Sequence, residues 1–103
     1  MSTETEMRIK VIVELEARPG KRAELKSLLE SVVAKYGSSH PGLLDSTRYE
    51  VLDNPNILVE IAEWTSADVR ATAMQQAMAD GAYAPLEDLL AAPFRATVIR
   101  QLP

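Results

Sequence analysis

Ile57-Leu58-Val59-Glu60-Ile61-Ala62-Glu63-Trp64 carries apolar residues on both of its alternating faces. Period two sets Ile57, Val59 and Ile61 on one side and Leu58, Glu60, Ala62 and Trp64 on the other, which is the pattern of a strand with partners on both faces. Immediately upstream, Asp53-Asn54-Pro55-Asn56 is a dense turn signal, and Leu43 to Leu52 reads as the preceding strand. The two strands therefore form an antiparallel hairpin. Downstream, Ser66 is placed to cap a helix, with Asp68 in the first turn where the helix dipole favours an anion. Val69, Ala73, Ala77 and Met78 give that helix one face, and Gly81 stands where it ends. Pro85 opens a short third helix with Leu86, Leu89 and Leu90, Pro93 closes it, and Phe94 to Leu102 reads as the last strand.

Towards the N-terminus, Met7, Ile9, Val11, Val13 and Leu15 share one face of a strand running to Glu16. Pro19-Gly20 punctuates the chain. From Lys21 to Tyr36 the period changes, and Leu25, Leu28, Leu29, Val32, Val33 and Tyr36 form a helical stripe. Gly37 suits a left-handed cap, and His40-Pro41-Gly42 a turn. The order strand, helix, strand, strand, helix, strand is the ferredoxin-like βαββαβ arrangement of the α+β class, an antiparallel sheet with both helices on one face.

The composition is that of one globular domain: 103 residues, 47% apolar and 25% charged. With no cysteine and a single histidine, the chain lacks the side chains for a disulfide scaffold, a thiolate site or a multi-histidine metal site. A net charge of −4 argues against a nucleic-acid partner, which calls for clustered Lys and Arg. No run approaches the ~18 apolar residues of a membrane span. The acidic, polar start is unlike a signal peptide, so a soluble, cytoplasmic protein is expected, with residues 1–6 a frayed, disordered tail and residues 7–103 the domain.

Two helices cover only one sheet face, yet the other face is not polar. Ile57, Val59 and Ile61 occupy one face of the third strand and Leu58, Ala62 and Trp64 the other. Ile12 interrupts the polar face of the first strand, and Leu43-Leu44 and Val98-Ile99 put apolar residues on both sides of the outer strands. Whichever face the helices leave open is therefore apolar. A patch of that size is rare on a soluble monomer, and pairing two identical sheets in a homodimer buries it.

The four glycines, at 20, 37, 42 and 81, are too scattered for a phosphate loop. A serine–histidine pair would have to use His40, which reads as a turn residue before Pro41. Glu14 and Glu16 share a strand face and read as a solvated edge. Glu60 stands apart: it interrupts an apolar strand on the face of Ala62 and Trp64. A carboxylate so placed has a raised pKa and can act as a general base near neutrality. The competing reading pairs it with Arg48 or Lys10 on a neighbouring strand. Trp64, the only tryptophan, lies about 13 Å further along an extended strand. It suits either stacking on a flat ligand or burial in a core.

Five motifs in order resemble the antibiotic biosynthesis monooxygenase (ABM) domain family of the dimeric α/β-barrel superfamily. They are Ala17-Arg18-Pro19-Gly20-Lys21 before the first helix, Pro41-Gly42-Leu43 opening the second strand and Asp53-Asn54-Pro55 before the third. Glu63-Trp64-Thr65-Ser66-Ala67 leads into the second helix, and Leu89-Leu90-Ala91-Ala92-Pro93 precedes the last strand. The likeness runs from about Met7 to Leu102. It implies a homodimer whose two sheets form a barrel, each protomer having a pocket between sheet and helices. It also implies an oxidoreductase, a monooxygenase that turns phenolic or anthrone-like aromatics into quinones with dioxygen and with no metal, haem or flavin cofactor. An electron-rich substrate anion itself reduces oxygen, so the protein need only deprotonate it, orient it and keep water out.

By position, Trp64 matches the family's tryptophan at the end of the third strand, and Glu60 and Trp64 make up the implied catalytic pair. The implied substrate pocket consists of Val13, Trp64, Ala73, Met74 and Tyr83. The chain departs from the family's pattern at Glu60, where quinone-forming members can carry asparagine. It departs again at Ala73 and Met74, which stand where a histidine is widespread. The haem-degrading branch needs that histidine and an asparagine where Val13 stands, so the resemblance does not extend to haem degradation. The implied function is a cofactor-independent oxygenase for a small phenolic or quinol-type aromatic. The alternative is a non-catalytic dimer that binds a small aromatic in a regulatory or stress role, and a cyclase or isomerase is a weaker third.

Overall fold

The computed structural model describes residues 8–37 and 40–103, so the tail expected at residues 1–6 lies outside the described residues. The elements are β1 (Ile9–Glu16), α1 (Arg22–Gly37), β2 (Leu43–Val51), β3 (Asn54–Trp64), α2 (Ala67–Ala79), α3 (Ala84–Glu87) and β4 (Arg95–Ile99). The strands form one antiparallel sheet in the order β2-β3-β1-β4. This is the α+β ferredoxin-like arrangement, with the short α3 added after α2.

Register explains the layers. Ile9 lies opposite Trp64, Val11 opposite Ala62, Val13 opposite Glu60 and Leu15 opposite Leu58. Because neighbours across a ladder point the same way, these eight residues share one face. Both helices pack there, in two clusters. Leu15 and Leu58 meet Leu25 and Leu29 of α1 and Leu86 and Leu90 near α3. Ile9, Val11, Ala62 and Trp64 meet Ala73 of α2. Leu15, Leu25 and Leu86 are fully buried, each contributing about 1.5–3 kcal/mol of transfer free energy. The Val13–Glu60 row separates the clusters, and Val13 packs against both.

The opposite face has no helix over it. Ile12 lies opposite Ile61, and Tyr49 and Glu14 flank Val59 on its two sides.

Several sequence expectations shift at the element ends. Only Leu52 and Asp53 link β2 to β3, which begins at Asn54 rather than Ile57. The register slips between Glu50 and Val51, so Pro55 falls in a bulge beyond the β1 ladder, where its missing N–H costs no pairing bond. Gly37 is the last residue of α1 and not a left-handed cap. Among the described residues positive φ occurs only at Gly20 (78°) and Gly81 (68°). What Gly37 meets instead is the side chain of Leu43, whose Cδ2 would lie 3.2 Å from a Cβ at this position. β4 ends at Ile99, since its only neighbour, β1, pairs no further than Lys10–Ile99. On α2, Ala73 and Ala77 are buried while Val69 and Met78 are exposed. The Ser66 cap is formed as expected, its hydroxyl accepting the Val69 N–H at 3.1 Å.

Candidate active site

A cavity of about 270 Å³ lies between the sheet and the helices, just under the roughly 300–1,000 Å³ usual for ligand sites. It exists because small residues face one another across the layers: Ala62 and Ala96 on the sheet, Ala73 and Ala77 on α2. Val32, Val33 and Tyr36, the C-terminal part of the α1 stripe, are half-buried and wall this space, Val33 also packing against the first cluster. Val13, Glu60, Trp64, Ala73, Met74 and Tyr83 all line this one cavity.

Glu60 sits in the floor, only 9% exposed. Its Oε2 accepts a 3.0 Å hydrogen bond from Ser46 Oγ, and that hydroxyl accepts one from Arg48 Nη1 at 3.2 Å. Arg48 Nε turns away to Glu30 Oε2 at 3.1 Å. The ion pair from Glu60 to Arg48 or Lys10 is therefore not formed. Arg48 lies opposite Glu60 in register but is drawn to the helix carboxylate, and Lys10 faces the other side of the sheet beside Glu63. Burial pushes the Glu60 pKa up, with the Ser46 hydrogen bond and the Arg48 charge opposing it. A carboxylate in this state takes up a proton more readily than a solvated one.

Trp64 is buried at the end of β3 and lines the cavity from there. Tyr83, just before α3, donates its hydroxyl to Met74 Sδ at 3.5 Å. Its ring meets Phe94 at 6.0 Å between centroids, tilted by 51°. Its pKa is raised by burial first and by the Glu60 charge second, while Arg70 opposes the rise.

Besides further apolar and aromatic residues, the sequence reading missed Ser46, His40 and Arg70 in the cavity lining. Ser46 was findable, because two steps along β2 it shares the helix-side face with Arg48, a polar pair where apolar residues belong. His40 is a turn residue and also lines the cavity. Arg70 gave no signal, since it falls among the solvated positions of an ordinary helix. Among the described residues no three His, Cys, Asp or Glu side chains cluster as a metal site. No helix among them is long and apolar enough to cross a membrane.

The chain thus combines an α+β ferredoxin-like sheet with a largely apolar cavity under two helices, a buried carboxylate on its floor and a tryptophan in its wall. Its sequence matches the antibiotic biosynthesis monooxygenase family over residues 8–81. It belongs to that family.

No curated protein sequence matches it. Among solved structures, a conserved protein from Methanosarcina mazei Go1 superimposes with a TM-score of 0.83 at 20% identity, covering 99% of this chain and 100% of its own. SnoaB, a cofactor-independent oxygenase from Streptomyces nogalater, gives 0.77 at 20% identity over 91% and 92% of the two chains. Rv0793 from Mycobacterium tuberculosis gives 0.76 at 23% identity over 93% and 96%. These likenesses establish the shared fold.

Proposed function

We propose that this chain is a cofactor-independent monooxygenase that oxidises a small phenolic or quinol-type aromatic with dioxygen, working as a homodimer. The observation that carries this reading is Glu60: a carboxylate in the floor of an apolar cavity, made more basic by burial, with one oxygen held by Ser46. In its ionised form Glu60 takes the phenolic proton of the substrate. The anion so formed is electron-rich enough to reduce oxygen itself. Oxidation of a phenol at a ring C–H uses one dioxygen: one oxygen atom becomes the new quinone carbonyl. The other leaves as water with the phenolic hydrogen and the ring hydrogen. Trp64 walls the ring, and the aliphatic lining keeps water from the anion.

Family membership and the SnoaB fold likeness support the oxygenase class. The homodimer is supported by the helix-free sheet face, where Ile12, Ile57, Val59 and Ile61 are only half-buried in the single chain. The test is oxygen uptake with a panel of hydroquinones, naphthols and anthrones. Uptake above the protein-free rate with one quinone formed per dioxygen is expected. Binding without turnover throughout the panel favours the small-aromatic-binding dimer.

A further inference from the structure

Arg70 carries a charge that no described side chain pairs with. It lines the cavity from α2, and no hydrogen bond or ion pair to it occurs among the described residues. Its helical neighbours at three and four residues' distance are Ser66, Ala67, Ala73 and Met74, so no carboxylate stands within reach along the helix. It also sits one turn from the N-terminus of α2, where the helix dipole does not favour positive charge. A guanidinium on a solvated helix face is unremarkable; Arg70 is half-buried in a largely apolar wall, and no described side chain pairs with it. No hydrogen bond or ion pair joins it to Glu60, whose Oε2 accepts from Ser46. Tyr83, which also lines the cavity, feels the charges of Glu60 and Arg70 with opposite sign.

We propose that Arg70 is the anion-recognition residue of this cavity, and that the ligand is an aromatic carrying a carboxylate. Its ring lies along Trp64 and the aliphatic wall, and its carboxylate pairs with the Arg70 guanidinium, whose planar fork matches a carboxylate. The cavity is large enough: an apolar space of about 150 Å³ holds benzene, and here there are about 270 Å³. A carboxylate anchored at Arg70 fixes the ring's orientation and thereby which substituent reaches Glu60. This deepens the proposed function, since it rests on the cavity being the ligand site.

The experiment is a fluorescence titration of Trp64 with 2-naphthoate and with its neutral near-isostere 2-naphthamide, on the wild-type protein and on Arg70→Gln. Wild-type protein is expected to bind naphthoate roughly tenfold or more tightly than naphthamide, the scale of one charge-assisted contact. Added salt should narrow the gap. Arg70→Gln should abolish the preference, bringing the affinities for the two probes to within about twofold of each other. Equal affinity for the two probes in wild-type protein overturns the assignment to Arg70 and leaves the aromatic cavity standing. A preference that persists in Arg70→Gln does the same. No binding of either probe removes the cavity as an aromatic site, and this proposal with it. Because the wild-type comparison needs no variant, a poorly folding Arg70→Gln does not protect the claim.

Discussion

Ser46 and Glu60 meet diagonally across the β2–β3 ladder: Ser46 Oγ donates to Glu60 Oε2 at 3.0 Å, although the residue directly opposite Glu60 is Arg48. The arginine supports this contact from behind through Ser46 and places its other donor on Glu30. The buried carboxylate thus has a hydrogen-bond donor without a neutralising ion pair, and it keeps a raised pKa.

Ser46→Ala removes the hydrogen bond that lowers the Glu60 pKa. Leaving a buried acceptor unsatisfied costs about 1–3 kcal/mol, so Tm should fall by several degrees. The acid limb of the pH–rate profile should also move to higher pH, which a purely structural serine would not cause. Thermal melts and initial rates across pH check both.

Glu60→Gln separates chemistry from stability. Glutamine keeps the shape and still accepts from Ser46, while removing the group that burial penalises. Turnover should drop by about 10²- to 10⁴-fold, the usual contribution of a general base, with ligand binding retained and Tm unchanged or higher. A large fall in Tm would mean that the Glu60 charge stabilises the fold.

The pH dependence of stability has a definite sign. The native pKa of Glu60 lies above its unfolded value, so between the two the native state holds a proton that the unfolded chain has released. Stability from this group is complete below the unfolded pKa, near 4.3 for a model glutamate, and is lost as pH rises through the native pKa. Wild-type protein should therefore lose stability relative to Glu60→Gln across that window. Parallel melts from acidic to neutral pH read the difference directly.

Ile12→Asp tests the dimer. Ile12 lies opposite Ile61 on the face without helices, and an unpaired charge in a closed interface costs about 3–5 kcal/mol. Light scattering should give about twice the 11.3 kDa chain mass for wild-type protein and the single-chain mass for the variant at micromolar concentration. A stable wild-type monomer contradicts the barrel.

Gly42→Ala probes the junction where β2 begins beside α2. A Cβ on Gly42 would overlap Val69 Cγ1 and lie 3.1 Å from Thr65 Oγ1. Overpacking of this kind costs about 1–3 kcal/mol, and each kcal/mol lowers Tm by about 4–8 °C in a domain of this size. Differential scanning calorimetry measures it.

The central strand was legible because alternation depends on local sequence alone: Leu58, Glu60, Ala62 and Trp64 do share the helix-side face. The Ser66 cap and the Gly81 stop were legible for the same reason. What could not be read was pairing that depends on three dimensions. Arg48 had a carboxylate opposite it on β3 and another above it on α1, and only packing decides between Glu60 and Glu30. Arg70 and His40 line the cavity through the way α2 and the turn before β2 pack over the sheet, which periodicity does not specify. Gly37 looked like a cap because helix-ending glycines commonly are. What lies close to it instead is the side chain of Leu43, a residue beyond the turn.

The most direct test of Glu60 as the base of a cofactor-independent oxygenase is quinone formation under isotopically labelled dioxygen, with metal-chelated wild-type protein and Glu60→Gln side by side. Wild-type protein should place one labelled oxygen in each quinone, and Glu60→Gln should bind the same phenol yet form quinone at least a hundredfold more slowly. Equal label incorporation by the two proteins, or none above the protein-free reaction, would contradict it.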